Sequence, residues 1–355
     1  MRLALAAMGT RFELVLVGAG AGTRQPELLA AGEAAMSEIE WWHKRLSRFE
    51  RDSDVSFIAR EAHLRAPSHP ISLDPDFFDL LVMCEEARVR SGGAFDVRVG
   101  AEMDRWIAGE PQRGRSTPVA MPEFLLDPQR RTLHAPGGVP LRLDLGGVAK
   151  GFALDRAAAI LIEAGIDNAL IHAGTSSIIA IGPGQGGDGW KVRIDPGREG
   201  TAADADDEKK AVRAEAHLDV MLRDQAVSVS SPRGRTVLTS DDSLATRGHI
   251  LDPRSGLAAP LGRTVVALSP LASPLASSST AAAACEIWST TLVVAPELLD
   301  QLPASMSAFF HDCADSTDHT DPEWRMHPPQ RSDLSRSTPA RSTRSAAHLA
   351  AMETS

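Results

Sequence analysis

Cysteine is scarce in this chain of 355 residues: Cys84, Cys285 and Cys313 lie far apart and form no CxxC pair. That spacing points to neither a disulfide framework nor a zinc knuckle, and a reducing compartment suits it best. Basic charge is also short. Lys and Arg number 37 against 47 Asp and Glu, a formal charge of -10, which argues against non-specific binding to nucleic acid or to an anionic membrane. No apolar run approaches the roughly 20 residues of a membrane helix. The opening MRLALAAMGT has too few apolar residues for the ~7–15-residue core of an export signal, so the expectation is a cytoplasmic protein, or a periplasmic one if its start lies upstream. No repeat with a period of about 20–50 residues is visible, so a solenoid is not expected. Small molecules and proteins remain as partners.

What is present alternates between strand and helix patterns. Phe12, Leu14 and Leu16 alternate with Glu13, Val15 and Val17, and the glycines from Gly18 to Gly22 close that strand. From Pro26 to Phe49, Leu28, Ala31, Ala35, Ile39, Trp42 and Leu46 step by three or four, the spacing of one buried helical face. Asp74 and Pro75 announce a second helix that runs to about Arg90, where SGG stops it. The stretch from Gly138 to Leu145 reads as extended, and Gly151 to Ala164 as helix with Gly165 as its left-handed cap. Further strands are expected over Ala169–Gly182, Trp190–Ile194, Leu218–Leu222, Ala226–Val229 and Thr264–Leu268. Thr201 to Lys210 is an acidic insertion, Ser269 to Ala284 is a low-complexity loop leading into a helix, and the polar composition after Asp312 predicts a disordered tail. Strands interleaved with two or three long helices predict an α+β architecture.

Four clusters carry chemistry. LDLGGVAKGF (143–152) sets Asp144, a glycine pair and Lys150 in one turn, which suits a nucleotide or simply a tight turn; it matches neither GxGxxG nor a phosphate loop ending in GK[ST]. SGGAFDVRVG (91–100) places Asp96 after a helix and a glycine pair, either at a ligand or solvated at a helix end. RGHILDPRSG (247–256) brings His249 and Asp252 into one turn, where a histidine serves as catalyst or as ordinary packing. In ACEIWSTTL (284–292), Glu286 and Thr290 are four apart and share a helical face. That pair is an oxygen-donor set suited to Mg²⁺, or else an exposed carboxylate beside a packed threonine.

The order of these clusters is more specific than any one of them. MGTRFELVL, LSRFERDSDVSFI, SGGAFDVRVG, LDLGGVAKGFALDRA, ALIHAG, GWKVRIDP, GHILDPRSG and EIWSTTL follow one another from Met8 to about Val294. This series resembles the ApbE family, flavin transferases that move FMN from FAD onto a Ser or Thr hydroxyl of a target protein. The resemblance implies a T-fold-like α+β fold of mixed β-sheets with outer helices, in one domain over residues 1–311. That domain would have two α/β halves with the flavin site between them, followed by the tail 312–355. It further implies an FAD site drawing on Met8, Phe49, Ala94, Phe95, Asp96, Asp144, Lys150 and Leu251. The metal, Mg²⁺, would be held by the Gly147 carbonyl, Glu286 and Thr290, and His249 aligns with the histidine implicated in transfer.

Several positions depart from the family pattern. Its metal aspartate is here Glu286, one methylene longer. HAGTSS stands where NAGGD is frequent, GGAFDVRVG carries Arg98 where GGAFDPTVG is usual, and SVSSPRG replaces a TSGxY pattern in a chain that has no tyrosine. The expected activity is Mg²⁺-dependent transfer of FMN from FAD to a protein hydroxyl with release of AMP. The alternatives are an FAD pyrophosphatase giving FMN and AMP, and a non-catalytic FAD-binding protein.

Overall fold

The computed structural model describes residues 1–18, 25–64, 69–110, 121–135, 140–196, 217–234, 236–238, 246–271, 280–312 and 324–327. The acidic insertion at 201–210, half of the low-complexity loop, Cys313 and nearly all of the expected tail lie outside those residues.

The chain opens with a hairpin of β1 (Arg2–Ala7) and β2 (Thr10–Leu16). Met8 and Gly9 close it with φ of 50° and 71°, the left-handed pair that a two-residue hairpin turn favours. Met8 is therefore the turn residue of the hairpin. The strand β1 itself was not expected from the sequence.

Helix α1 (Gln25–Leu46) buries the predicted stripe and stops at Leu46, three residues early. An unforeseen α2 (Asp54–Leu64) follows, then β3 (Ile71–Ser72) and α3 (Pro75–Arg90). Asp74 caps α3 as expected: its Oδ1 accepts the N–H groups of Asp76 at 2.9 Å and Phe77 at 3.3 Å. Gly92 and Gly93, with φ of 56° and 82°, reverse the chain after it.

Next come α4 (Gly100–Ile107), β4 (Leu125–Asp127) and β5 (Thr132–His134). No strand forms over 140–145, where an extended run was expected. Leu141, Leu143 and Leu145 alternate inward like strand residues, but among the described residues no strand pairs with this segment to complete a ladder. The helix α5 (Ala149–Glu163) starts two residues earlier than expected, and Gly165 ends it with φ of 76°.

The remaining strands are β6 (Ala169–Ala173), β7 (Ser177–Ile181), β8 (Trp190–Ile194), β9 (Leu218–Leu222), β10 (Gln225–Ser230), β11 (Thr236–Leu238), β12 (Thr246–Gly248), β13 (Leu251–Asp252), β14 (Leu257–Ala258) and β15 (Arg263–Pro270). Helix α6 (Ala281–Val294) and the strands β16 (Ser307–Asp312) and β17 (Arg325–His327) complete the order. The pairing of β17 with β16 carries the sheet beyond residue 311.

Among the described residues, the main sheet has eight strands in the order β1-β2-β6-β7-β10-β15-β16-β17. Every neighbouring pair in it runs antiparallel. Its two faces follow the period of two. Ile171, Ile179, Ala226, Val265 and Ala267 point into the core shared with α1, α5 and α6. Ile178, Ala180, Val227 and Val266 point the other way, under the hairpin of β8 and β9. The fold class is α+β, with helices packed outside antiparallel sheets.

Helix α6 is buried on nearly every side because it has cover above and below: β10 and β15 on one side and α5 on the other. The contact with α5 is close. A Cβ at Gly151 would fall 2.4 Å from the Ala282 carbonyl oxygen. Asp155 of α5 accepts the Ala282 and Ala283 N–H groups at 3.0 and 2.9 Å, satisfying donors at the start of α6 that have no intrahelical partner.

Candidate functional site

The turn LDLGG is fixed from three directions. The Asp144 N–H donates to the Val97 carbonyl at 2.7 Å, and its Oδ1 accepts the Gly146 N–H at 2.8 Å. The other carboxylate oxygen pairs with the Arg48 guanidinium, which also pairs with Asp104 and donates to the Gly100 carbonyl at 3.3 Å. Arg48 thus ties the chain just after α1 to α4 and to the turn. Phe49, beside it, is 77% exposed with the Arg48 guanidinium 5.3 Å from its ring centre. The Met8 N–H donates to His43 Nδ1 on α1 at 3.2 Å.

Gly147 is the meeting point of three clusters. A Cβ there would lie 3.4 Å from the Phe95 ring and 3.8 Å from Thr290 Oγ1, so glycine lets DLGG, GGAFD and the α6 segment EIWSTT converge. Lys150, in the first turn of α5, places Nζ 3.0 Å from Glu286 Oε1. The Ser177 hydroxyl on β7 donates to that same oxygen. Glu286 is 3% exposed, and its second oxygen, Oε2, is buried without a hydrogen-bond partner. The reading of Glu286 as an exposed carboxylate is therefore excluded.

A chain of hydroxyls runs beside it. Ser230 Oγ lies 2.7 Å from Ser289 Oγ and 3.2 Å from Thr290 Oγ1, and Ser289 donates to Ser228 at 3.1 Å.

Ala94, Phe95 and Asp96 are all buried. The solvated reading of Asp96 fails for a specific reason: Arg98 engages it twice over. Asp96 Oδ1 accepts the Arg98 N–H and Nε–H, both at 2.9 Å, and Oδ2 accepts Nη2–H at 2.6 Å. No strand follows; residues 97–99 form a short 3-10 turn that Asp96 caps.

The HILDPRSG turn packs against this segment, because a Cβ at Gly93 would lie 3.6 Å from Arg254 Cγ. Within it, Asp252 grips Arg254 with both carboxylate oxygens, and Leu251 is buried. His249 is half-buried on the bend between β12 and β13.

The structure thus sets Gly147 beside Phe95 and Thr290, pairs Lys150 with Glu286 one helical turn before Thr290, and joins Asp144 to the Arg48–Phe49 corner. Three contributors escaped the sequence reading: Arg48, Ser177 and Ser230. Ser177, a hydroxyl in the otherwise apolar strand SIIAI, was the most visible signal of the three.

A buried carboxylate oxygen with no donor is costly unless a cation meets it. A carboxylate, a hydroxyl and a backbone carbonyl form the hard oxygen set that Mg²⁺ accepts while keeping waters and substrate phosphates. The residues present therefore fit a single divalent ion. Among the described residues, no group of three or more His, Cys, Asp and Glu offers a competing metal site.

Comparison with known proteins places this arrangement among relatives. The chain is 28% identical over 169 residues to a protein of Treponema pallidum named FAD:protein FMN transferase, covering 44% of this chain and 45% of that one. It is 25% identical over 204 residues to the Haemophilus influenzae protein of the same name, covering 53% and 56%. The chain thus spans about half the length of the curated relatives it matches.

In fold, it is similar to the flavin transferase ApbE of Vibrio cholerae, with a TM-score of 0.65 and 19% identity over 92% of this chain and 96% of that one. The ApbE protein of Thermotoga maritima gives 0.65 and 20% over 87% and 93%. The model of the ApbE family matches residues 8–309, a span that contains every side chain of the site just described, and the chain belongs to that family.

Proposed function

We propose that the protein transfers FMN from FAD to a Ser or Thr hydroxyl of a target protein, with Mg²⁺ as the metal and AMP as the leaving group. The observation that carries this reading is Glu286 Oε2, a buried carboxylate oxygen with no partner of its own, beside Thr290 and Gly147. Its relatives' name, FAD:protein FMN transferase, supports flavin and protein as the two substrates.

The residues divide the work. Gly147, Glu286 and Thr290 would hold the metal, and Phe95 would present apolar surface to a flavin or adenine ring. A bound divalent cation supplies positive charge to the non-bridging pyrophosphate oxygens. Lys150 holds Glu286 in place and adds a second positive charge at the anion. His249 accepts the proton of the attacking hydroxyl. The hydroxyl oxygen forms a bond to the FMN phosphorus, the bond from that phosphorus to the bridging oxygen breaks, and AMP leaves with the electron pair.

The test is direct: the protein is incubated with FAD, Mg²⁺ and Ser/Thr-bearing acceptor proteins, and intact masses and nucleotides are measured. Covalent gain of FMN on an acceptor, in step with AMP, is expected, and chelation by EDTA should abolish both. Free FMN and AMP without any acceptor adduct would instead identify a pyrophosphatase. Stoichiometric FAD binding without turnover would identify a binding protein.

A further inference from the structure

We infer that Ser177 is a positioning residue for the metal site, seating the long arm of Glu286 so that one carboxylate oxygen alone faces the cation. The inference rests on the metal reading above and adds a residue to it.

Both partners are removed from water: Ser177 is wholly buried in β7 and Glu286 nearly so in α6. The contact spans 109 positions in sequence, so it exists only because β7 passes beneath α6 in the sheet. Glu286 Oε1 receives the Ser177 hydroxyl and the Lys150 ammonium at 3.0 Å. With one oxygen held by the Ser177 hydroxyl and by the Lys150 charge, the turning of the carboxylate is restricted, and Oε2 is left without a donor.

A glutamate has one more rotatable bond than an aspartate and would lose more conformational freedom on binding an ion. Near-octahedral Mg²⁺ tolerates little misplacement of its ligands. A hydroxyl fixed in a central strand removes that freedom before any ion arrives, the task that outer-shell partners of metal ligands perform. The serine and the longer acid thus act as a matched pair: Ser177 has a use because residue 286 is Glu.

A double-mutant cycle with Mn²⁺ alone as probe, read by electron paramagnetic resonance or calorimetry, tests the pairing. S177A should weaken Mn²⁺ binding by about tenfold, in the range for loss of an outer-shell partner. E286D should also weaken it, since the shorter arm no longer reaches both Ser177 and the ion. The double variant should bind no worse than E286D alone, because the serine then has nothing to seat; a purely structural serine would lower affinity equally in both backgrounds. Unchanged affinity in S177A, or losses that multiply in the double variant, would overturn the inference while leaving the metal reading intact. Failure of the unmutated protein to bind Mn²⁺ at millimolar concentration would overturn both. Absence of flavin transfer alongside intact Mn²⁺ binding would overturn only the transferase reading.

Discussion

Asp96 and Arg98 show what one departure from the family pattern does to a residue that resemblance assigns to binding. The aspartate that resemblance assigns to the flavin has both oxygens engaged by a guanidinium two residues later, and both side chains are buried. A ligand at this position would therefore meet a neutral ion pair in place of a lone carboxylate. Asp144 and His249 separate more cleanly in role. Asp144 links the turn to Arg48, whereas His249 sits on a bend at the HILDP turn. Under the proposed chemistry, His249→Ala should leave FAD bound but slow transfer by about 10²–10⁴-fold, the usual worth of a positioned base. Asp144→Ala should weaken FAD binding, measured by flavin fluorescence titration, with a smaller effect on the rate at saturation. The reverse pattern would show that the two roles are exchanged.

Among elements, the seam between α5 and α6 sets the geometry of the site, since Lys150 comes from one helix and Glu286 from the other. Gly151 is the closest approach. Alanine there would gain up to about 1 kcal/mol in helix propensity. Its methyl, however, would sit 2.4 Å from a backbone carbonyl that no rotamer change can move, and overpacking of this kind costs about 1–3 kcal/mol. Gly151→Ala is therefore expected to lower stability in urea denaturation despite its better propensity; a stabilised variant would mean that the seam is loose.

Which elements were legible follows from the range of their causes. The helices α1, α3 and α5 are written in local signals: an apolar stripe, an Asp-Pro cap, a terminal glycine. Strand β1 is not, because RLALAA takes its structure from pairing with β2, and α2 was hidden within a charged stretch read only as a motif. The candidate site residues came from the family pattern, and of them the structure brings Phe95 and Thr290 to Gly147 and pairs Lys150 with Glu286. Ser177 and Arg48 were not legible in the sequence, since their partners lie 109 and 96 positions away and only tertiary packing brings them together.

For the whole molecule, one buried acid links stability to pH. Desolvation pushes the Asp155 carboxyl up to about 8, against the opposing pull of the Ala282 and Ala283 N–H groups. Its folded pKa is raised above the unfolded value of about 3.9, so the folded state holds the proton more tightly. The stabilisation is full below about pH 4 and fades as pH rises towards 8. Asp155→Asn keeps one acceptor and carries no charge. It should be less stable than the parent at pH 5, and its unfolding free energy should change less between pH 5 and 8. An unaltered pH slope in denaturant titrations would remove Asp155 from this account.

The hydroxyls beside Glu286 carry a direction as well as contacts. Each has a single hydrogen to give. Ser289 can give its own to Ser228 or to the Glu286 carbonyl, and when it does it only receives from Ser230. With its hydrogen then on Ser289, Ser230 only receives from Thr290, one of the two senses that each of these hydroxyl pairs allows. In that arrangement the threonine proton points back into the protein, and Thr290 would offer its lone pairs as a Lewis base to the cation of the proposed site.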